Sequence, residues 1–345
     1  MDQVEDLSGR RGGLRGLFAS GRPVLSLAPM QDVTDLPFWR LVAGYGGADL
    51  YFTEYFRVTP HYVPERSILR SIVENPTGRP AVAQLIGNDP EAMARVAGEL
   101  EKYDVAGIDL NLGCPAPVVY RKCAGGGLLR DPARIDALLG TLRAAVRGAF
   151  TVKTRVGFES AAEFDRLLEV FAGHDLDLLT VHGRTVVEKY GAHVHLGRVA
   201  QAVGRLPFPV QANGGGDCAR SAVRVLRETG AAGLMVGRGA IRNPWIFSQV
   251  RDLLDGREPQ WPAGRDVLGY IAALYESTCS PDVPEKSQVQ KMKRYMNYLG
   301  EGLADAAGFL HDIRRCTAKA DFFAICRRHL DHGDPMALAP AVSRG

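Results

Sequence analysis

Gly107-Ile-Asp-Leu-Asn-Leu-Gly-Cys-Pro115 decides the fold once its repeat is seen. Residues 107–110 form a short strand-like run, Asn111 is a polar residue where the run ends, and amphipathic sequence of helical period follows. Residues 24–29, 50–54, 81–86, 151–155, 178–182, 210–213 and 233–236 behave in the same way. Eight short runs separated by longer amphipathic ones predict successive βαβ units and a parallel sheet. The end residues Met30, Glu54, Gln84, Asn111, Lys153, His182, Asn213 and Gly237 lie 24, 30, 27, 42, 29, 31 and 24 positions apart. That repeat predicts an α/β fold, a (β/α)8 TIM barrel, with all eight end residues converging on the rim where such barrels carry their active sites. Asp89-Pro90, Asp131-Pro132 and Asn243-Pro244 each place a capping side chain before a proline, so each is read as a helix start.

The chain has 345 residues, 46% of them hydrophobic and 23% charged. This suits one large barrel plus a small extra unit and excludes a stapled mini-scaffold or a disordered chain. No run approaches the roughly 18 apolar residues of a membrane span, and the opening Met1-Asp-Gln-Val-Glu-Asp6 has no apolar signal region after it. A cytoplasmic protein without membrane association is expected. The six cysteines are 9, 95, 61, 37 and 10 positions apart, which gives no CxxC pair and no expected metal site or disulfide framework.

The pattern changes after Gly256-Arg-Glu-Pro-Gln-Trp-Pro-Ala-Gly264. Residues 267–278, 289–299 and 303–326 read as helices with no strand between them, a small C-terminal all-helical domain. Residues 286–330 carry nine Lys or Arg against four acids, a balance of +5 within a net charge of +3, so the rest sums to −2. The expected organisation is a disordered basic arm at 1–22, the barrel at 23–256, the helical domain at 264–331 and a tail at 332–345.

At the rim, Asn213-Gly-Gly-Gly216 and Gly237-Arg238-Gly239 follow strands seven and eight, the usual phosphate position of this barrel. Arg238 adds a charge-assisted contact. Gln84, Lys153 and His182 suit a flavin, whose carbonyl and imide edges pair with a glutamine and whose reduced form carries charge that a lysine stabilises. A snorkelling lysine is the plainer alternative for Lys153, and a satisfied core histidine or phosphate ligand is an equal alternative for His182. Gly113 and Pro115 fix the backbone around Cys114, which suits a positioned acid, because a thiol of ordinary pKa about 8.5 is mostly protonated at neutral pH. Cys218, Cys316 and Cys326 fit inert buried thiols, and Cys123 is open. The glycine-rich 42-residue interval is read as a working loop or lid, with a flexible connector as the alternative.

Taken together, Ala28-Pro29-Met30-Gln31-Asp32-Val33-Thr34-Asp35, Thr53-Glu54-Tyr55, Gln84-Leu85-Ile86-Gly87, Asp109-Leu-Asn-Leu-Gly-Cys-Pro115, Lys153-Thr-Arg155, His182-Gly-Arg-Thr185, Asn213-Gly214 and Gly237-Arg238-Gly239-Ala240 resemble the tRNA-dihydrouridine synthases. The resemblance runs in order from about residue 24 to 247 and more weakly through the helices. It implies an FMN enzyme that uses NADPH to reduce a uridine of folded tRNA. Pro29, Met30, Gln31, Gln84, Lys153, Asn213, Gly214, Gly215, Gly237 and Arg238 would hold FMN, and Cys114 would be the acid; His182 joins the cofactor candidates on its rim position alone. The family has an acidic residue directly after Asn-Gly, whereas Gly215 and Gly216 here precede Asp217.

The implied reaction adds hydride from flavin N5 to uracil C6, and Cys114 protonates C5 from the other face while Asn111 holds the uracil edge. A base inside folded RNA must be flipped out to reach a barrel mouth. Lys286, Lys291, Lys293 and Arg294, interleaved with Tyr295 and Tyr298, are the candidate tRNA footprint, although a solvated charged face has the same pattern. Arg57 and Tyr190 match tRNA-contacting positions of the family. The Thr53–Val58 run, the Gly125 loop and the 290–299 helix resemble the bacterial subclass acting at D-loop position 16. The rival readings are an FMN-dependent oxidoreductase of a free pyrimidine and a non-catalytic tRNA-binding protein. No obligate protein partner is implied.

Overall fold

The computed structural model describes residues 7–191 and 193–340. Its centre is a closed parallel barrel of strands β1 (Val24–Leu27), β2 (Leu50–Phe52), β3 (Ala81–Ile86), β4 (Gly107–Leu112), β5 (Phe150–Arg155), β6 (Leu178–His182), β7 (Val210–Asn213) and β8 (Gly233–Val236). Each strand pairs with the next, and β8 returns to β1 with Val24 opposite Gly233 and Leu27 opposite Val236. A two-residue piece, Phe56–Arg57, extends the edge of β3. The architecture is the expected (β/α)8 barrel.

Strand alternation sorts the interior into layers. Val24, Val82, Ala149 and Leu178 make an apolar layer at the N-terminal end. Ser26, Asp109, Thr151, Thr180 and Gln211 are buried above it, and Gln84, Asn111, Lys153, His182 and Asn213 stand at the C-terminal end. The middle layer satisfies itself: Gln211 Nε2 donates to Ser26 Oγ at 2.8 Å and Thr180 Oγ1 to Gln211 Oε1 at 3.3 Å. The residues between, Leu25, Leu27, Ile108, Leu110, Phe150 and Val152, point outward into the core shared with the helices.

Asp89 and Asp131 cap their helices as expected, accepting from Ala92 N at 3.0 Å and Arg134 N at 3.1 Å. Asn243 does not. Its side-chain amide is buried and donates to Gln249 Oε1 at 2.7 Å, and the next helix, Ile246–Leu254, begins three residues later.

The N-terminal arm expected to be disordered is a helix, Leu7–Phe18, over its described part, while residues 1–6 lie outside the described residues. Leu14 and Phe18 join the apolar bottom layer of the barrel. Arg11 Nε donates to Asp177 Oδ1 at 2.7 Å and Arg15 Nη2 to Asp175 Oδ1 at 2.9 Å. Glycine-rich sequence is a poor helix former, and here tertiary packing overrides it.

Four helices follow the barrel, Gly264–Thr278, Glu285–Leu299, Ala306–Arg315 and Lys319–Leu330. The segment read as one helix over 303–326 is therefore two, broken where Cys316 and Ala318 turn to extended backbone. The region is fastened to the barrel by Tyr270 Oη donating to Ile241 O at 2.8 Å and Tyr295 Oη to Val33 O at 3.2 Å. The expected tail is packed through residue 338: Pro335 bridges to Ala263, and Leu338 is buried. Residues 341–345 lie outside the described residues. Among the described residues no helix is long and apolar enough to cross a membrane.

Candidate active site

The C-terminal layer of the barrel is a polar patch built over a buried carboxylate. Thr151 Oγ1 donates to Asp109 Oδ1 at 2.6 Å, and Gln84 Nε2 donates to Asp109 Oδ2 at 2.8 Å. Asn111 Nδ2 in turn donates to Gln84 Oε1 at 2.8 Å, and Asn111 Oδ1 accepts from the backbone N–H groups of Gly113 and Cys114, both at 3.0 Å. Burial pushes the Asp109 carboxyl up to about 6, against the pull of its two hydrogen bonds and of nearby Lys153. Burial and the neighbouring Arg155 bring the Lys153 ammonium down to about 8, while Asp109 and Cys114 act the other way. Lys153 is level with Asn111 across the β4–β5 pairing.

Cys114 sits just beyond β4 with its thiol pushed above its ordinary range by burial, opposed by the Ala116 N–H and by Arg155, Lys153 and Arg57. Such a thiol stays protonated at neutral pH and can donate its proton. Its loop is tied from two sides. Arg155, only 2% exposed, donates from Nε to Gly113 O and from Nη1 to Thr185 O and Lys189 O, all at 2.8 Å. On the other side the 3-10 turn Gly125–Arg130 packs onto the loop, with Gly126 N donating to Cys114 O at 3.2 Å.

This turn corrects the reading of the glycine run as a working lid or a flexible connector. Gly125 through Leu129 are buried. A Cβ on Gly126 would stand 2.6 Å from Val186 Cγ2 and 2.9 Å from Cys114 O, and one on Gly127 would stand 2.4 Å from Tyr120 O. The glycines serve close packing beside the thiol.

On the opposite side of the mouth, Gly214 and Gly215 have φ of +93° and +78°, which glycine alone adopts without strain. A Cβ at Gly214 would meet the His182 ring at 3.4 Å, and one at Gly237 would meet Met30 Sδ at 3.2 Å. His182 is neutral: burial first, and then Arg155, Lys153, Arg184 and Arg238, hold its pKa well below the usual value. Its Nδ1 is buried with no hydrogen-bond partner among the described residues. Arg238 stacks on Tyr190, 4.9 Å from guanidinium carbon to ring centroid, and Arg155 lies 5.6 Å from the same ring. A flavin mononucleotide fits this set of groups. The bare backbone at Gly214 and Gly237 admits a close ligand, cations gather where a phosphate and a reduced ring are negative, and His182 Nδ1 and the Asn111 amide offer polar partners, while Gln84 is fully buried beneath them.

Pro29 and Met30 border the same mouth half-buried, whereas Gln31 is exposed. Gln31 lines a groove of about 880 Å³ between barrel and helices, together with Asp35, Glu54, Ser287, Lys291 and Arg294. The expected RNA footprint is divided. Lys291 donates to Thr278 O at 2.7 Å and lies 3.9 Å from Asp35, and Arg294 lies 3.8 Å from Asp32. Lys293 faces the neighbouring helix, donating to Arg314 O at 2.9 Å, and Lys286 is exposed at the helix start. Tyr295 is fully buried and is no stacking platform, while Tyr190 is 47% exposed at the mouth. Arg57, also exposed, donates to Tyr55 Oη at 3.2 Å.

Three residues that carry the site were given no role from the sequence: Asp109, Arg155 and Arg242. Arg242 is 1% exposed and links the glycine loop to the helical region, donating from Nη1 to Asp217 O at 3.1 Å and from Nε to Tyr298 O at 3.0 Å, with Glu301 as its ion partner. Asp109 and Arg155 stand inside quoted motifs, and the inward phase of their strands is the sign that was available.

The sequence model of the family described as Dihydrouridine synthase (Dus) matches residues 26–332. A tRNA-dihydrouridine(16) synthase of Cupriavidus necator is 32% identical over 84% of this chain and 92% of its own. A tRNA-dihydrouridine synthase B of Xanthomonas axonopodis pv. citri is 30% identical over 93% of this chain and 97% of its own. A probable tRNA-dihydrouridine synthase of Rhodobacter capsulatus is 34% identical over 75% of this chain and 80% of its own.

Proposed function

The chain belongs to the dihydrouridine synthase family, and from that premise we propose that it reduces the C5=C6 bond of a D-loop uridine in tRNA, with FMN as bound cofactor, NADPH as reductant and Cys114 as proton donor. Bound FMN would supply hydride to the uracil ring. The observation that carries the reading is the Cys114 thiol, kept protonated by burial and fixed between Asn111 and Arg155 at the mouth that Lys153 lines.

The protein's own part in the reaction is positional and protonic. Asn111 presents its amide to the edge of the pyrimidine. Hydride addition at C6 leaves negative charge spread onto the C4 carbonyl, and the Cys114 S–H gives its proton to C5, so the ring gains one hydride and one proton and Cys114 is left as a thiolate. Lys153, charged at neutral pH with a value of about 8, offsets negative charge in the mouth. Neutral His182 offers its unpaired Nδ1 to the cofactor. Gly214, Gly215, Gly237 and Arg238 would hold the cofactor phosphate, and Pro29, Met30, Gln31 and Gln84 the ring.

A uridine reaches this mouth only when flipped from folded RNA. The groove beside Lys291 and Arg294, together with Tyr190, Arg57 and Lys286, is the proposed RNA path. A free pyrimidine requires no such groove. The resemblance to the position-16 subclass agrees with the names of relatives such as that of Cupriavidus necator, and position 16 is the proposed target.

The test is to incubate purified protein with NADPH and either unmodified tRNA or free uracil and orotate, then map product by mass spectrometry of tRNA fragments. Dihydrouridine at one D-loop position is expected. Product from the free pyrimidines alone overturns the reading.

A further inference from the structure

The hydrogen-bond chain beneath the mouth has only one permitted polarity. At its lower end Asp109, fully buried and ionised at neutral pH, can only accept, from Thr151 Oγ1 and from Gln84 Nε2. At its upper end the backbone N–H groups of Gly113 and Cys114 can only donate, so Asn111 must turn its oxygen to them. Between these ends the Asn111 amide donates to the Gln84 carbonyl. The carboxylate and the two N–H groups thus dictate the same orientation of both amides from opposite directions, and turning either amide over would set donor against donor. Asn111, the member of the chain with exposed surface, keeps a second N–H that none of the described residues accepts, and this is the donor left for a carbonyl group of a bound ring.

We propose that Asp109 is a positioning residue: by accepting from Gln84 it fixes the donor direction of Gln84 and Asn111, and through Asn111 the backbone on which the Cys114 thiol stands. Asp109 touches neither substrate nor cofactor. Its neighbours below are apolar or already satisfied, and besides Gln84 and Thr151 its charge acts only on nearby Lys153. A wholly apolar layer would pack there without burying a charge.

The experiment compares Asp109→Asn with the double variant Asp109→Asn/Gln84→Glu. Asparagine has the shape of aspartate but can present an NH2 group, which lets Gln84 turn over and set its own NH2 against that of Asn111, so that Asn111 loses its acceptor and its hold on the Gly113 and Cys114 N–H groups loosens. In the double variant, the carboxylate at 84 accepts from both neighbours and gives Asn111 back its acceptor. The main readout is the iodoacetamide alkylation rate of Cys114 in apoprotein, followed by peptide mass spectrometry with exposed Cys123 as internal reference. The proposal expects a several-fold change at Cys114 in the single variant, an unchanged Cys123 rate, and a return of the Cys114 rate in the double variant. A wild-type Cys114 rate in Asp109→Asn overturns it, as does failure of the double variant to restore that rate.

Should Asp109→Asn not fold, Gln84→Leu cuts the chain one link higher, and the same change at Cys114 is required of it. The second readout rests on the proposed function: with tRNA and saturating FMN, kcat of Asp109→Asn is expected to fall about tenfold with KM for tRNA held within twofold. The alkylation arm needs neither cofactor nor RNA, so failure of the functional reading leaves it standing and its own failure is seen separately.

Discussion

At the floor of the barrel Asp177 has no exposed surface, yet it accepts from Arg11 at 2.7 Å, from Arg143 at 3.1 Å and from the Phe150 N–H at 2.9 Å, with Arg15 beside them. At the mouth Lys153 stands in surroundings that pull its pKa down to about 8, and no carboxylate among the described residues bonds to it. His182 Nδ1 is likewise buried without a partner. Both ends of the same eight strands bury polar groups, but the floor pairs its charges, whereas the mouth pairs Asp109, Gln84, Asn111 and Arg155 and leaves the Lys153 ammonium and His182 Nδ1 without partners among the described residues. Buried groups cost stability unless paired. The floor therefore reads as the end that holds the fold, and the mouth as the end that holds its free energy in reserve for a ligand.

The comparison is tested most severely by exchanging a residue at each end. Cys114→Ala is expected to lower dihydrouridine formation by about 10²- to 10⁴-fold, the usual worth of a general acid, with the melting temperature nearly unchanged; product at the wild-type rate would remove Cys114 from its role. Asp177→Ala should do the reverse. It strands the arginines at the floor and is expected to cost about 3 kcal/mol of unfolding free energy in urea, while activity per folded molecule stays at the wild-type level. Leu14→Ala, a cavity in the bottom layer, is expected to cost about 2 kcal/mol, and a loss below ~0.5 kcal/mol would mean that the N-terminal helix is only loosely seated.

Protonation sharpens the contrast without breaking a contact. Asp109 is raised from its ordinary 3.8 to about 6, so the stability it contributes is present below pH 3.8 and is lost as pH rises through about 6. Lys153, lowered from 10.5 to about 8, contributes stability that is present above 10.5 and is lost as pH falls through about 8. At pH 7 the apoprotein bears both penalties. The stability of Asp109→Asn relative to wild type should therefore climb between pH 4 and 6 and level off above, read from urea unfolding at each pH; a constant difference would show that Asp109 ionises freely. The smallest effect belongs to the exposed rim. Lys286→Ala should leave stability alone and reduce the salt slope of tRNA binding by about one, and an unchanged slope would take Lys286 out of the RNA path.

The barrel and the upper layer of its mouth were legible in the chain because strand phase is a local signal: eight runs end in residues that packing does not favour. What escaped was set by distant contacts. Residues 7–18 read as an arm because their glycines weaken a helix, and the carboxylates that hold that helix lie 160 or more positions away. The Gly125 run read as mobile because composition does not distinguish a glycine needed for freedom from one needed for closeness, and Cys114 O and Val186 decide it. Lys291 and Lys293 were grouped by proximity in sequence, although two residues on a helix point about 200° apart. Their separate partners, Thr278 and Arg314, follow from that angle.

The floor also has a history in time. The helix Leu7–Phe18 is the first described element to leave the ribosome, but its anchoring acids at 175 and 177 are made only after β5, and β1 waits for β8, joined as Val24 to Gly233, before the barrel closes. Contacts between early and late parts of a chain are slow to form and leave strand edges open meanwhile. The floor of the finished molecule is thus assembled from its oldest and its newer segments, and the growing chain must keep its first helix unspent until the sixth strand appears.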